Sequence, residues 1–166
     1  DYLRISQAER ERAEKEKNAK PEVRGMTIED GAAVAEMEHQ SFSDAWSEKA
    51  VLETLRQPTA LCLVAEKAGR RVGYLLAYQA ADEIEIARVA VVEEVKRQGV
   101  GTALMKKLQE EGTQRKARKI LLDVREKNHM AQAFYEKIGF KEDGIRKRFY
   151  TEPEEDAVLM SMQISG

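Results

Sequence analysis

Two glycines spaced two positions apart mark the part of this sequence best suited to hold a charged ligand. Gly99 and Gly101 lie where a β-branched segment, residues 83–92, gives way to a segment with helical periodicity, residues 100–108. A strand that passes into a helix through such a turn presents free backbone N–H groups where the helix dipole adds partial positive charge. The turn is therefore suited to a phosphate group.

Two common glycine-rich phosphate motifs do not fit this turn. A Walker loop requires Gly-x4-Gly-Lys-Ser/Thr, which the sequence lacks. A dinucleotide-binding fingerprint requires glycine or alanine three positions after Gly101, where Leu104 stands. The run that remains is Lys96-Arg97-Gln98-Gly99-Val100-Gly101, and a turn of this kind can also arise for packing reasons alone.

This run resembles the Gln/Arg-x-x-Gly-x-Gly/Ala motif with which GNAT-family acetyltransferases hold the pyrophosphate of acetyl-CoA, although Lys96 replaces the usual first residue. Residues 122–140 resemble the second GNAT signature, Leu-Glu-Val-Arg-x-x-Asn through Tyr-x-x-x-Gly-Phe. The sequence around Trp46 and in residues 146–157 is similar to elements of bacterial ribosomal-protein-alanine N-acetyltransferases of the RimI type. The resemblance covers roughly residues 21 to 165.

The resemblance implies a catalytic pair. It maps the general base onto Asp123, where RimI-type enzymes usually carry glutamate, and the general acid onto Tyr135. The shorter aspartate favours a water relay, and a base acting on an α-amino group of pKa near 8 has only a modest task. An aspartate ending a buried strand can also simply cap a turn, so Glu85 is the second candidate base. On sequence alone, Tyr135 lies beside an apolar helical stripe, at the edge of the core, and would be a packing residue.

The resemblance also implies how the remaining site residues are used. The backbone of one strand segment would pair with the pantetheine arm, the N–H of Val91 would donate to the thioester carbonyl, and the glycine turn would hold the pyrophosphate. Trp46 would lie near the acceptor-peptide entrance and Tyr150 would line the peptide groove. The residues expected to bind acetyl-CoA are Val89, Ala90, Val91, Arg97, Gln98, Gly99, Val100, Gly101, Thr102 and Asn128.

The function implied is transfer of acetyl from acetyl-CoA to the N-terminal alanine amine of a ribosomal protein, by direct attack on the thioester. Two alternatives stay open: an acetyltransferase for other protein N-termini or a small amine, and a non-catalytic acyl-CoA-binding module. No metal is expected, because no cluster of cysteines or carboxylates has ligand spacing around His39 or His129.

The composition predicts an ordinary globular protein. The 166 residues are 42% apolar and 35% charged with a net charge of -2, which gives no reason to expect direct nucleic-acid binding. The single cysteine, Cys62, excludes an internal disulfide and predicts a buried strand thiol. Without an apolar run of membrane-spanning length or a signal peptide, we expect a cytoplasmic protein that does not bind membranes.

The first twenty residues differ from the rest of the chain. Residues 1–20 are predicted to be an exposed helical leader or linker with i,i+4 pairs such as Glu16/Lys20, and residues 21–166 to form the acetyltransferase domain. Residues 2–10 are similar to the C-terminal end of TsaB, a threonylcarbamoyladenosine tRNA-modification subunit. Because the sequence begins at Asp1 without methionine, we expect a TsaB-type subunit as a fused or associated partner.

The predicted elements follow the order β-α-α-β-β-β-α-β-α-β-β, an α/β fold with a mixed sheet and helices on both faces. The resemblance implies a mostly antiparallel GNAT sheet with a splayed central strand pair. The helix after Gly101 should run for about three turns. Near the end of the chain, Met130, Phe134 and Ile138 are predicted to form the buried stripe of a helix closed by Gly139.

One predicted strand contains a break in its apolar pattern. Ile84 and Ile86 share one parity, whereas Val89 and Val91 share the other. A β-bulge would produce this phase slip, and so would a strand buried on both faces, which needs no alternation. The pattern alone slightly favours the second explanation, and the resemblance to GNAT proteins favours the bulge.

Overall fold

A seven-stranded sheet forms the centre of the fold in this computed structural model, which describes residues 6–164. The strand order is β1-β2-β3-β4-β5-β7-β6, and all neighbours are antiparallel except β4 and β5. The strands are β1 (Glu22–Gly25), β2 (Ala60–Lys67), β3 (Arg70–Ala80), β4 (Glu83–Val91), β5 (Lys119–Arg125), β6 (Lys141–Thr151) and β7 (Glu154–Gln163). The helices are α1 (Gln7–Asn18), α2 (Gly31–Ser41), α3 (Glu48–Leu55), α4 (Val100–Gln114) and α5 (His129–Ile138).

Helices cover both faces of the sheet, as the sequence predicted. A Cβ atom at Gly73 would meet the side chain of Val100 in α4, so this face of β3 packs on α4. The next residue, Tyr74, points the other way and donates a hydrogen bond from its hydroxyl to Glu38 of α2. We call these surfaces the α4 face and the α2 face.

The predicted β-bulge is present in β4. Leu76 of β3 pairs with Arg88, and the next residue, Ala77, pairs with Ile86. Ala87 is thus the extra residue of the bulged strand. This resolves the two sequence-based explanations in favour of the bulge.

The bulge keeps one face of β4 apolar along its whole length. Ile84 and Ile86 precede the extra residue and Val89 and Val91 follow it, and all four lie on the α4 face. The same slip turns Arg88 to the α2 face. In a regular strand, only residues an even number of positions apart share a face. Without the extra residue, Val89 could therefore not share a face with Ile84 and Ile86.

The parallel pairing of β4 with β5 is short. Only Glu83, Ile84 and Glu85 pair with Lys119, Ile120 and Leu121. Beyond Glu85, the described residues include no further pair between the two strands, while β5 continues to pair with β7 as far as Arg125. The central strands therefore splay apart, which matches the architecture expected of a GNAT fold.

Two helices differ from the sequence-based prediction. Met130 is 73% exposed, so the predicted buried stripe on α5 was wrong at its first position, and the buried side chain of this helix is Tyr135. Helix α4 has 15 residues, about a turn longer than expected. Gly139 ends α5 with φ 129°, consistent with a glycine stop signal.

The leader forms helix α1, capped by the Ser6 hydroxyl, which accepts from the N–H of Glu9. The predicted pair Glu16/Lys20 was wrong, because Glu16 contacts Arg70 of the β2–β3 hairpin instead. Residues 2–5 of the segment similar to TsaB lie outside the described residues. Within those described residues, no helix is long and apolar enough to cross a membrane.

Candidate active site

The glycine turn has the backbone geometry of an anion site. Arg97 and Gly99 both have positive φ, 68° and 85°, and α4 begins immediately afterwards at Val100. The N–H groups of the first helical turn, including that of Thr102, have no acceptor within the helix. A left-handed arginine is strained, and strain of this kind is characteristic of ligand-binding turns.

The second glycine has a packing role that the motif did not reveal. A Cβ atom at Gly101 would lie 3.0 Å from the ring of Phe134 in α5. The start of α4 therefore packs directly against α5, and this contact brings the phosphate turn beside the helix that carries Tyr135.

Two of the residues predicted to bind the cofactor use their side chains within the protein. The Gln98 amide oxygen accepts from Lys67 at 2.5 Å, and its amide nitrogen donates to the carbonyl of Glu94 at 3.3 Å. The side-chain Oδ1 of Asn128 caps α5 by accepting from the N–H of Ala131 at 3.1 Å. Both side chains therefore have structural functions at the sites where the motif predicts cofactor contacts.

The splay leaves the edge of β4 that carries Val89, Ala90 and Val91 without a partner strand on its β5 side, within residues 6–164. An unpaired strand edge offers alternating N–H and C=O groups to an extended ligand. This edge runs from the bulge toward the phosphate turn, so both parts are available to one elongated molecule.

The two candidate bases lie on the same face of the sheet. Glu85 is paired with Tyr78, whose hydroxyl hydrogen-bonds to Thr54 of α3, which puts Glu85 on the α2 face. Glu85 also aligns with Leu121 of β5, and Asp123 is two residues further along the same strand. Both carboxylates therefore border the splay from one side.

Asp123 differs from Glu85 in its environment. It is half-buried, and desolvation followed by the nearby charge of Glu85 raises the pKa of its carboxyl above the usual range, although the charge of Arg146 opposes this. Glu85 is solvent-exposed. A carboxylate with a raised pKa is a stronger base, so the electrostatics favour Asp123.

Tyr135 has a buried ring and an accessible hydroxyl. Burial, and then the Tyr150 phenol, raises the pKa of the Tyr135 phenol to about 12. In the described part of the chain this hydroxyl has no hydrogen-bond partner, and every fully buried side-chain oxygen there has one. The hydroxyl is therefore not completely buried, and it is a protonated, uncommitted donor.

Tyr150 lies within electrostatic reach of both catalytic candidates. Burial, and then the charge of Asp123, raises the pKa of the Tyr150 phenol to about 12. The Arg125 guanidinium stacks 4.2 Å from the centroid of its ring, and Arg125 is itself held by Glu155 at 3.2 Å. The β6–β7 hairpin thus fixes Tyr150 beside Asp123.

A buried ion pair that the sequence analysis missed lies on the α2 face of the sheet, between α2 and β4. Glu38 is fully buried, and it accepts hydrogen bonds from Arg88 at 2.8 Å, from the Trp46 N–H at 2.9 Å and from the Tyr74 hydroxyl. Arg88 also contacts Asp44 at 3.3 Å. These contacts fix the α2–α3 loop against β4 immediately after the bulge.

The same guanidinium stacks on the aromatic side chains of the α2–α3 loop. It lies 3.9 Å from the centroid of the Phe42 ring and 5.5 Å from that of Trp46. Trp46 also lines an open pocket of about 350 Å³ between α3 and Tyr78. The expected entrance residue therefore belongs to a loop held by Arg88, and neither Asp123 nor Tyr135 lines that pocket.

We expect Glu38→Ala to destabilise the protein by about 3 kcal/mol or more, because removing one partner of a buried pair leaves the other charge uncompensated. Urea unfolding measures this effect. Glu36→Ala, at an exposed position on the same helix, is the control and should cost well under about 1 kcal/mol. A Glu38→Ala variant as stable as the control would show that the Arg88 pair does not hold the loop.

Comparison with known proteins gives consistent results. The sequence model of the Acetyltransferase (GNAT) family matches residues 31–140. The chain is 31% identical over 135 residues to the ribosomal protein bS18-alanine N-acetyltransferase of Escherichia coli (strain K12), covering 80% of this chain and 90% of that protein. A Bacillus subtilis (strain 168) protein to which the same activity is provisionally assigned is 37% identical over 147 residues. That match covers 88% of this chain and 97% of the Bacillus protein.

A solved structure agrees with the sequence comparisons. The crystal structure of the Escherichia coli ribosomal-protein-S18-alanine N-acetyltransferase superposes with a TM-score of 0.81 at 29% identity. The match covers 89% of this chain and 96% of that one. The shared architecture therefore extends over nearly the whole of both molecules.

Proposed function

The chain belongs to the GNAT acetyltransferase family, and from this premise we propose that it transfers acetyl from acetyl-CoA to the N-terminal alanine amine of a ribosomal protein. The observation that carries the proposal is that the Tyr150 phenol lies within electrostatic reach of both Asp123 and Tyr135, next to the splay between β4 and β5. Two relatives are named as enzymes that acetylate the alanine of a ribosomal protein, and this suggests the class of acceptor. A ribosomal acceptor would locate the activity in the cytoplasm, and a TsaB-type subunit is a proposed partner.

The residues fit acetyl-CoA at both of its recognisable parts. The left-handed residues Arg97 and Gly99 and the start of α4 suit a pyrophosphate, and the unpaired edge at Val89–Val91 suits the amides of the pantetheine arm. When bound, acetyl-CoA supplies the acetyl group as an activated thioester. No metal is required by this arrangement of residues.

In the proposed mechanism, Asp123 accepts a proton from the acceptor amine, directly or through one water. The N–H of Val91 stabilises negative charge on the thioester oxygen, and the Tyr135 hydroxyl donates a proton to the departing sulfur. Trp46 on the α2–α3 loop and Tyr150 on the β6–β7 hairpin contact the acceptor peptide.

The neutral fraction of the amine favours an N-terminal acceptor. At pH 7, on the order of a tenth of an α-amine is neutral, against about one in a thousand for an unperturbed lysine amine. A base with only a moderately raised pKa can therefore assist an α-amine far more readily than a lysine. This supports N-terminal rather than side-chain acetylation.

The test is incubation with acetyl-CoA and two peptides, one starting with a free alanine and one with a blocked N-terminus and an internal lysine. We expect acetylation of the alanine peptide to be at least about tenfold faster, with the product located by mass spectrometry. A peptide with another N-terminal residue and a small amine are assayed alongside, and equal or faster acetylation of either would favour the broader enzyme. Tight acetyl-CoA binding without turnover of any amine would favour the non-catalytic module.

A further inference from the structure

Lys67 at the end of β2 connects the leader helix to the phosphate turn. The side chain is 1% exposed, and its ammonium donates to the Lys17 carbonyl of α1 at 3.2 Å and to the Gln98 amide oxygen at 2.5 Å. A buried ammonium needs such partners, because an unpaired one would be strongly unfavourable. The Lys17 carbonyl is in the last turn of α1, where the helix has no donor for it and its dipole favours a cation.

A second cation spans the same two elements. Arg70, three residues further along the hairpin, contacts Glu16 of α1 at 2.9 Å and Glu94 at 3.8 Å. Glu94 precedes the phosphate turn, and its carbonyl also accepts from the Gln98 side chain. The end of α1 and the entry to the turn are thus joined by two independent links.

Gln98 stands at the point where this connection meets the ligand site. It lies between Arg97 and Gly99, the two residues with positive φ, and its N–H donates to the Val95 carbonyl at 3.2 Å. Fixing the Gln98 side chain restricts the rotation of both flanking peptide groups. The N–H of Gln98 is committed to Val95, whereas that of Gly99, which has no backbone acceptor among the described residues, is left to face an anion in a turn of this kind.

We propose that α1 positions the phosphate-binding turn through Lys67 and Arg70, so that the leader helix sets the affinity of the site for the pyrophosphate of its ligand. This rests on the proposed function for the identity of the ligand. Lys67 is a positioning residue, because at 1% exposure it reaches the ligand only through Gln98. A partner that binds or displaces α1 would change the affinity for acetyl-CoA without touching the catalytic residues.

The experiment uses the full chain carrying Lys67→Met, Arg70→Gln or Glu16→Gln, with Glu14→Gln as control. Glu14 is exposed on the same helix, and the described residues form no ion pair with it. We expect acetyl-CoA to bind about tenfold more weakly to Lys67→Met and about two- to threefold more weakly to the other two variants. Binding of S-acetylpantetheine, which lacks the pyrophosphate, should be unchanged in every variant.

Wild-type-like acetyl-CoA affinity in both Lys67→Met and Glu16→Gln would overturn the inference, as would an equal loss of S-acetylpantetheine binding. If Lys67→Met does not fold, Glu16→Gln and Arg70→Gln alone decide, because Arg70 and Glu94 are exposed and Glu16 is only partly buried. A wild-type protein that binds no acetyl-CoA would instead refute the proposed function. Amide hydrogen exchange of residues 97–101 would then decide, with faster exchange expected in Glu16→Gln than in Glu14→Gln.

Discussion

Tyr135→Phe is expected to lower kcat by about 10²- to 10³-fold, because it removes the proton donor to the leaving sulfur and retains the ring. The ring fills a buried position and packs edge-on against Phe134 and Phe140, with centroids 5.3 and 5.5 Å away. The change removes only the accessible hydroxyl, so the affinity for acetyl-CoA should stay within about twofold. Steady-state kinetics with an alanine peptide and a direct binding assay measure the two quantities.

The matched control is Tyr74→Phe, which removes a hydroxyl from another buried tyrosine. That hydroxyl donates to Glu38, so its loss should lower stability while kcat changes by no more than a few-fold. A Tyr135→Phe variant with wild-type kcat would show that the proton reaches the sulfur by another route. Because its pKa is about 12, the phenol of Tyr135 remains protonated across the whole range in which the enzyme can be assayed.

How far the site could be predicted from the sequence is clearest in β4. The change of parity between Ile86 and Val89 is a local signal that is compatible with the bulge, but alone it slightly favoured a strand buried on both faces, and the family resemblance decided correctly for the bulge. The splay from β5 and the shared face of Glu85 and Asp123 depend on interstrand register, for which a single strand carries no signal. The family resemblance supplied the splay, and only the structure supplied the shared face.

The residues that the sequence analysis missed are charged groups in buried positions. Glu38 lies next to Met37 in an amphipathic helix, where a glutamate ordinarily faces water, and nothing local indicates that it is fully buried. Arg88 offered a signal, since it interrupts the apolar end of β4, and a cation inside a strand requires a partner. Lys67 gave a weaker signal of burial, because a lysine at the end of a strand normally lies in solvent.

The error at Met130 has a geometric cause. Residues spaced four apart drift around a helix by about 40° at each step, so a three-residue stripe covers a broad arc. Only part of that arc meets the core: Ala131, Phe134 and Ile138 pack against it, whereas Met130 is exposed. The buried position is taken by Tyr135, which the same pattern placed at the edge.

Asp123→Asn is expected to lower kcat by about 10²-fold, whereas Glu85→Gln should change it by no more than a few-fold. Asp123 is half-buried with a raised pKa, so it can take the amine proton, while the exposed Glu85 acts mainly through its charge on Asp123. In the wild type, activity should fall as the pH drops through the raised pKa of Asp123. A fully active Asp123→Asn together with an inactive Glu85→Gln would reverse the assignment.

The same substitution should make the protein more stable at neutral pH. The pKa of the Asp123 carboxyl is higher in the folded state than its ordinary value of 3.8, so the folded protein binds this proton more tightly than the unfolded chain does. The free energy of unfolding therefore decreases as the pH rises between the two pKa values, and above both the buried charge is fully destabilising.

The asparagine side chain introduced by D123N carries no charge, so thermal melts of this variant should show a higher Tm than wild type at pH 7. The difference should vanish below the ordinary pKa of an aspartate, where the wild-type carboxyl is also neutral. A D123N protein that is inactive and less stable at pH 7 would indicate a structural role for the carboxylate. An inactive and more stable variant is the result expected of a base that the fold keeps in an unfavourable environment for the sake of catalysis.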